Sequence, residues 1–303
     1  MSKPDIDHHI FFDGETLPTN RADVIEHLDA KIEVPSNMSK PETIEAWYAE
    51  KRPGVLKEAV AKTSFDGGFG RIASIAFAVG NGPVVSATSA RPAVGDVPAA
   101  YDIEKERKLL GRFFAACNRV RNHIGKPPTL VGHNIVAFDV RWLWKRSIVL
   151  GVEVPEWWPV EAKPWQKEAV FDTMTVWEGV GGRISQDRLA LALGLPTKSD
   201  FDGLMVADAW ERGEFERIRT YNGDDVETVR SIWKRIVGWR EPAVASETVA
   251  EAPVETKEER DAAVDAAVKT SQNGAGFKPG LRPGFRPAVR AESSAHATTG
   301  AAA

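Results

Sequence analysis

Asp13 and Glu15 stand two residues apart at the end of an apolar run, His9-Ile-Phe-Phe-Asp13. Side chains of an extended strand alternate faces, so these two carboxylates point the same way. Two carboxylates held together repel unless a cation lies between them, and hard divalent ions favour such oxygen ligands. The other reading is a solvated turn after the strand. A second acidic place is Val131-Gly-His-Asn134-Ile-Val-Ala-Phe138-Asp139, where a buried strand ends at Asn134 and Asp139 opens the following helix. A carboxylate there either joins the same chemistry or complements the helix dipole, worth about 0.3–1 kcal/mol. The third is Tyr221-Asn-Gly-Asp224-Asp225. Tyr221 and Asp225 are four apart and stack on one helix face, away from the Val226/Val229/Trp233 stripe. Asp224 points elsewhere and reads as a solvated charge.

The elements that must carry these groups can be read from periodicity. Residues 9–13 and 72–79 are short apolar runs of strand type. Gly80-Asn81-Gly82 is a turn signal, and residues 83–88 complete a hairpin. Residues 102–120 repeat apolar side chains at three and four, as a helix does, until Pro127-Pro128 intervenes. Residues 129–133 read as a buried strand, 140–150 as a helix ended by Gly151, and 169–173 as a short strand. Residues 187–193 form a helix closed by Gly194, and 215–237 a last amphipathic helix. Strands first, then strands alternating with helices, predict an α/β domain with a mixed central sheet flanked by helices. Residues 17–70 form a long insertion between the first two strands, with a helical pattern at 41–47.

Composition sets the outer limits. All ten tryptophans fall between Trp47 and Trp239, and beyond them only Phe277 and Phe285 are aromatic. A segment so poor in apolar bulk cannot offset the entropy of ordering, so residues 241–303 read as a disordered tail and 1–240 as one domain. Within the tail, Thr256 and Glu259 have capping-box spacing, and Lys278, Arg282, Arg286 and Arg290 recur every four residues. That basic Pro/Gly strip is either a spacer or a docking strip for nucleic acid or an acidic partner. One cysteine, Cys117, excludes a disulfide framework and a multi-cysteine metal site. The six histidines form no spaced ligand set, and His133 reads as a satisfied strand-end residue. The sequence has no membrane-length apolar run and no export signal at Met1, which points to the cytoplasm, the host's if the chain is phage-encoded. A net charge of −4 argues against gripping nucleic acid by bulk positive charge but leaves room for local basic strips.

Taken in order, Asp13-x-Glu15, Asn134-x3-Phe138-Asp139 and Tyr221-x3-Asp225 resemble the three motifs of the DEDD, or DnaQ-like, 3′–5′ exonucleases, which have a ribonuclease H-like fold. The tyrosine four before the last aspartate resembles their tyrosine-type branch, since a histidine-type member would place His where Thr220 stands. Phe171-Asp-Thr-Met174, the segment 184–196 and Lys198-Ser-Asp-Phe-Asp-Gly203 are similar to predicted exonucleases related to the family-B DNA polymerase proofreading domain, many of them phage-encoded. The resemblance runs from Ile10 to about Trp239 and leaves the tail and most of residues 17–70 uncovered. Gly14 departs from the common pattern.

The resemblance implies two-metal hydrolysis of a terminal phosphodiester with Mg2+ or Mn2+. Asp13, Glu15 and Asp225 would hold one ion, Asp13 the second, and Asp139 would act largely through bound water. Tyr221, with an ordinary pKa of about 10, is a poor base at neutral pH and would orient the attacking water. Thr16, Leu17, Asn134 and Phe138 would lie against the terminal nucleotide, and Lys198 would contact a phosphate. For Thr16 and Leu17 a strand-end turn and for Phe138 a core aromatic remain equal readings, while for Lys198 a surface lysine before a turn is favoured over the phosphate contact. Asp172 reads as structural. The implied substrate is the 3′ end of single-stranded DNA, with RNA as the alternative. Two further readings remain. The run Phe-Phe-Asp13-Gly-Glu15-Thr16 superficially resembles the Asp-x-Asp-x-Thr of haloacid-dehalogenase-type phosphatases, with Gly223-Asp224-Asp225 as a late acidic motif. Against it, Glu15 stands in place of the second aspartate and residues 134–139 would have no role. The last reading is a non-catalytic replisome module attached through the tail.

Overall fold

A computed structural model describes residues 5–91, 100–197 and 201–240. The chain divides into two compact units, Met1–Glu241 and Pro242–Ala303, and every described residue belongs to the first. The expected disordered tail, its basic strip and Lys198 lie outside the described residues.

β1 (His9–Leu17) is the central strand of the first unit. Three short helices follow it: α1 (Ala22–Asp29), α2 (Pro41–Glu50) and α3 (Arg52–Lys62). They occupy the insertion, where the sequence had signalled one helix. Then come β2 (Arg71–Val79) and β3 (Val85–Thr88), and a minimal pair of β4 (Ala90–Arg91) and β5 (Ala100–Tyr101). The remainder is α4 (Ile103–Ile124), β6 (Thr129–Gly132), α5 (Asp139–Leu150), β7 (Val170–Asp172), α6 (Thr173–Glu178), α7 (Gln186–Ala192), α8 (Val206–Glu211) and α9 (Phe215–Ile236).

The main sheet has the order β3-β2-β1-β6-β7. Pairing is antiparallel between β1, β2 and β3 and parallel from β1 to β6 to β7. This is the mixed sheet of the expected ribonuclease H-like architecture. Its two faces are built by alternation along β1. Ile10 and Phe12 point into a cluster with Leu110, Phe113 and Leu143 from α4 and α5, completed by Trp158. Phe12, Phe113, Phe114 and Trp158 meet ring against ring at centroid distances of 5.0–6.2 Å. Each such pair adds about 0.5–1.5 kcal/mol beyond the area it buries. Phe11 points the other way, into Val226, Val229 and Trp233 of α9.

Helix ends are fixed by local chemistry. Asp102 accepts from the backbone N–H groups of Glu104 and Lys105 at the start of α4, and Gly125 ends it with φ of 73°. The insertion is clamped to α5. The indole of Trp142 donates to Ser64 O at 2.9 Å, Lys145 pairs with Asp66 at 3.0 Å, and a Cβ on Gly67 would lie 2.2 Å from Trp142 O. Only glycine permits that approach.

Candidate active site

Asp13 and Glu15 continue the Phe11 face of β1, so both project toward α9. The strand is longer than its apolar run suggests and carries Glu15, Thr16 and Leu17 within it. Its register with β2 shifts between Glu15 and Thr16, an irregularity of the kind that re-aims side chains beside functional sites.

The rotation of α9 is set by packing. Trp233 lies edge-on to Phe11 at 5.6 Å, 6.4 Å from Phe171, and 4.6 Å from the His9 ring. With that end anchored, the second and third turns before it bring Asp225, then Asn222 and Tyr221, over the β1 carboxylates. Oxygens of Asp13, Glu15 and Asp225 lie within 4.8 Å of one another, with Glu15 and Asp225 buried and Asp13 half-buried. Three carboxylates this close, in a largely dry setting, form the donor set a hard divalent cation prefers.

Asp139 flanks this trio without joining it. Its carboxyl is buried at the start of α5, and a Cβ on Gly14 would lie 3.5 Å from Asp139 Oδ1. Burial first, then the neighbouring Asp13 carboxylate, with Glu15 and Asp172 adding, push its pKa well above the ordinary carboxylate range. Gly14, which departs from the common motif, therefore leaves ordinary contact space beside Asp139. Tyr221 is half-buried, edge-on to Phe201 at 4.8 Å. Burial first, then Glu15 and Asp13, drive its phenol far above its usual value, so it stays a neutral hydroxyl.

Two side-chain amides organise the acids, one buried and one half-buried, and neither is among the residues the motifs single out. Asn222 donates from Nδ2 to Asp13 Oδ2 at 2.7 Å and is fully buried. Gln186, the first residue of α7, donates from Nε2 to Asp225 Oδ1 at 2.7 Å and to Asp225 O at 3.2 Å. The signal for Asn222 was present, because it sits three before Asp225 and so shares its helix face. Gln186 carried none, since only the fold brings it to α9.

The remaining expected residues divide. Asn134 is the only non-glycine with positive φ among the described residues, at 63°. The turn it makes is held by Asp172, which accepts from the N–H groups of Asn134 and Val136 at 3.0 Å and also caps α6. Asp172 is thus structural, as read. Phe138 is half-buried and edge-on to the exposed Phe65 of the insertion at 6.4 Å. Thr16 is partly exposed. Leu17 is only 1% exposed, packed with Phe201, Val206 and Ile218, so its side chain offers a nucleotide no open face. His133 is satisfied by Thr173 Oγ1 at 2.9 Å and Ile184 O at 2.8 Å. Asp224 is exposed.

Residues 68–255 match the family described as predicted 3′–5′ exonucleases related to the exonuclease domain of PolB. The chain belongs to that family. The matched region holds Asn134, Asp139, Tyr221 and Asp225 and begins after Asp13 and Glu15, which the sheet brings to the others. Among solved structures, the chain is similar to the family B DNA polymerase of the hyperthermophilic archaeon Pyrobaculum calidifontis, with 17% identity and a TM-score of 0.43. That match covers 57% of this chain and 22% of the polymerase. No curated protein matches. No described helix of this exonuclease-family chain is long and apolar enough to cross a membrane.

Proposed function

We propose that this chain is a tyrosine-type DEDD 3′–5′ exonuclease that removes mononucleotides from the 3′ end of single-stranded DNA with two divalent ions, Mg2+ or Mn2+. The observation that carries the reading is the convergence of Asp13, Glu15 and Asp225 oxygens within 4.8 Å, flanked by buried Asp139 and capped by Tyr221. Carboxylates crowded in this way repel one another, and a bound cation relieves that repulsion.

Asp13, Glu15 and Asp225 would hold one ion and Asp13 a second, with Asp139 acting largely through bound water. Such ions would supply charge stabilisation for phosphodiester hydrolysis and an activated water near neutral pH. The chain's own residues do the rest. Asn222 and Gln186 each hold one carboxylate in place by a side-chain hydrogen bond. Tyr221 keeps its proton and orients the attacking water by hydrogen bond, so it is no general base. Phe138 and Thr16 border the place where the terminal nucleotide would lie, and Lys198 is retained as a phosphate contact.

The deciding experiment is a nuclease panel of 5′-labelled single-stranded DNA, duplex DNA and RNA, run with Mg2+, Mn2+ or chelator. A ladder shortening from the 3′ end of single-stranded DNA, abolished by chelator and by Asp13→Ala, is expected. Activity that survives both changes would sink the two-metal reading. Tyr221→Phe should slow hydrolysis while leaving metal binding intact.

A further inference from the structure

A polyanionic substrate needs cations along its backbone, and the described residues around Tyr221 supply few of them. The cavity beside it, about 760 Å3, presents Glu216, Asp224 and Glu227 against a single Arg217. That arginine is already engaged with Glu214 and the face of Phe201.

The unengaged charge lies elsewhere. Lys105, Lys108, Arg112 and Arg119 occupy one stripe of α4 at spacings of three, four and seven, interrupted only by Ala115. All four are exposed. Arg107 on the same helix pairs with Glu104, whereas no ion pair among the described residues engages these four. They form one wall of a groove of about 450 Å3 whose floor is apolar, with Phe77 of β2 and Val85 of the edge strand β3. From Lys105 to Arg119 the stripe runs about 21 Å at 1.5 Å per helical residue.

The sheet register ties one end of the groove to the site. Thr88 lies at the Lys105 end and pairs with Ser74, which pairs with Glu15. Groove and carboxylates therefore stand at the same level, two strands or about 10 Å apart across the sheet, on opposite faces. On the carboxylate face α9 packs across β2 and β3, with Ser86 Oγ donating to Arg219 O at 2.8 Å. A strand whose 3′ end sits at the carboxylates therefore reaches the stripe by passing outside that helix, itself about 10 Å across, before rounding the β3 edge.

Building on the exonuclease reading above, we infer that the α4 stripe and its groove bind the upstream phosphates of the single-stranded DNA substrate. An acidic protein surface is the competing occupant. DNA is favoured because the family acts on a polyanion and the site end is acidic.

The test compares the full chain with a variant carrying Lys105→Gln, Lys108→Gln, Arg112→Gln and Arg119→Gln. A charge-keeping control carries Lys105→Arg, Lys108→Arg, Arg112→Lys and Arg119→Lys. Binding of a labelled single strand of about twenty deoxynucleotides is followed by anisotropy in chelator across a salt series. Each phosphate contact contributes about 0.7 to the salt slope of a single strand, so the neutral variant's slope should be shallower by about 3. Its affinity near 0.1 M salt should be about a hundredfold lower, and the control should match the unchanged chain. Unchanged slope and affinity in the neutral variant overturn the inference and leave the stripe to an acidic protein. Hydrolysis of a trinucleotide, too short to reach the stripe, should proceed equally in all three proteins with metal present. A loss confined to the neutral variant overturns the inference, because the stripe would then act on the site itself. If the unchanged chain hydrolyses neither substrate, the exonuclease reading fails, while the binding series still decides for or against the groove.

Discussion

Asn222 donates its side-chain amide to Asp13 Oδ2 at 2.7 Å, while its own carbonyl oxygen accepts from Ser74 Oγ at 2.9 Å. The carboxylate, an acceptor only, requires the NH2 end of the amide to face it, which fixes the amide's orientation. Asp13 is thereby tied through α9 to β2 and is not left to swing away from its acidic neighbours. Removing such an outer partner of a metal ligand costs about 10–100-fold in metal affinity. Asn222→Ala is therefore expected to weaken Mn2+ binding to the nucleic-acid-free protein by that factor in titration calorimetry. Asn222→Asp should weaken it as much, by facing Asp13 with an oxygen that cannot donate. A purely structural role would lower the melting temperature and leave the Mn2+ affinity where it was.

Asp139 is held at a cost that a proton or a bound cation relieves. Its carboxyl is 5% exposed and feels Asp13, Glu15 and Asp172. Asn at this position keeps one acceptor oxygen and removes the repulsion. Asp139→Asn should thus raise the melting temperature of the metal-free protein, by roughly 2–4 °C for each kcal/mol relieved in a domain of this size. Hydrolysis should fall at the same time by at least about a hundredfold, the order expected when a charge-stabilising group is lost. Scanning fluorimetry with chelator and with Mg2+ checks the first half, since the stability gain should shrink when metal is added, and the labelled-strand assay checks the second. A variant less stable than the parent in chelator would contradict the account.

The first and third motifs are legible because each lies on a continuous strand or helix whose period fixes which side chains share a face, whereas Asn134 and Asp139 are joined by a turn. Tyr221 and Asp225 stack at i, i+4, and Asp13 and Glu15 alternate with Phe12 and Gly14. The mixed sheet followed from the order of apolar runs. Gln186 was not legible, because its contact with Asp225 spans 39 residues and depends on how α7 docks on α9. Leu17 reads as a strand-end residue because the apolar run stops at Asp13, whereas pairing with β2 carries the strand on to Leu17. Backbone pairing, unlike an apolar pattern, tolerates the polar residues between.

His9 links the start of β1 to α9 and should give the fold a one-proton pH dependence. Its ring packs on Trp233 at 4.6 Å, and its Nδ1 is buried without a hydrogen-bond partner. Burial lowers its pKa below the ordinary 6.5, against the opposing pull of Asp5, with His8 lowering it further. Lys126, Lys167 and Glu168 line the same surface depression. The sign follows from proton binding: below 6.5 the unfolded chain takes up a proton that the folded chain resists. Stability from this group is present above the unfolded pKa and is lost as pH falls. Urea midpoints measured at pH 7.5 and 5.5 should drop more for the parent than for His9→Phe. Equal drops would show that His9 is not the group responsible.

Glu106 and Arg146 form a buried bidentate pair that joins three elements behind the site. Arg146 Nε and Nη2 donate to Glu106 Oε1 and Oε2 at 2.9 and 2.7 Å, and the two side chains are 5% exposed or less. Glu106 Oε1 also accepts from the Ile72 N–H of β2 at 2.6 Å, and Tyr101 donates to Oε2. The pair thus fixes α5, which begins at Asp139, against α4 and β2. Breaking one partner strands a buried charge, at about 3–5 kcal/mol, whereas replacing both by apolar side chains of similar volume can be close to neutral. Glu106→Leu alone is therefore expected to unfold at much lower urea, and Glu106→Leu with Arg146→Met to recover most of the loss. The double variant should still be slower on a 3′ end than the parent, because the apolar pair packs without holding the Ile72 N–H and so lets α5 and Asp139 shift relative to β1. Full activity in a stable double variant would show that the pair serves stability alone.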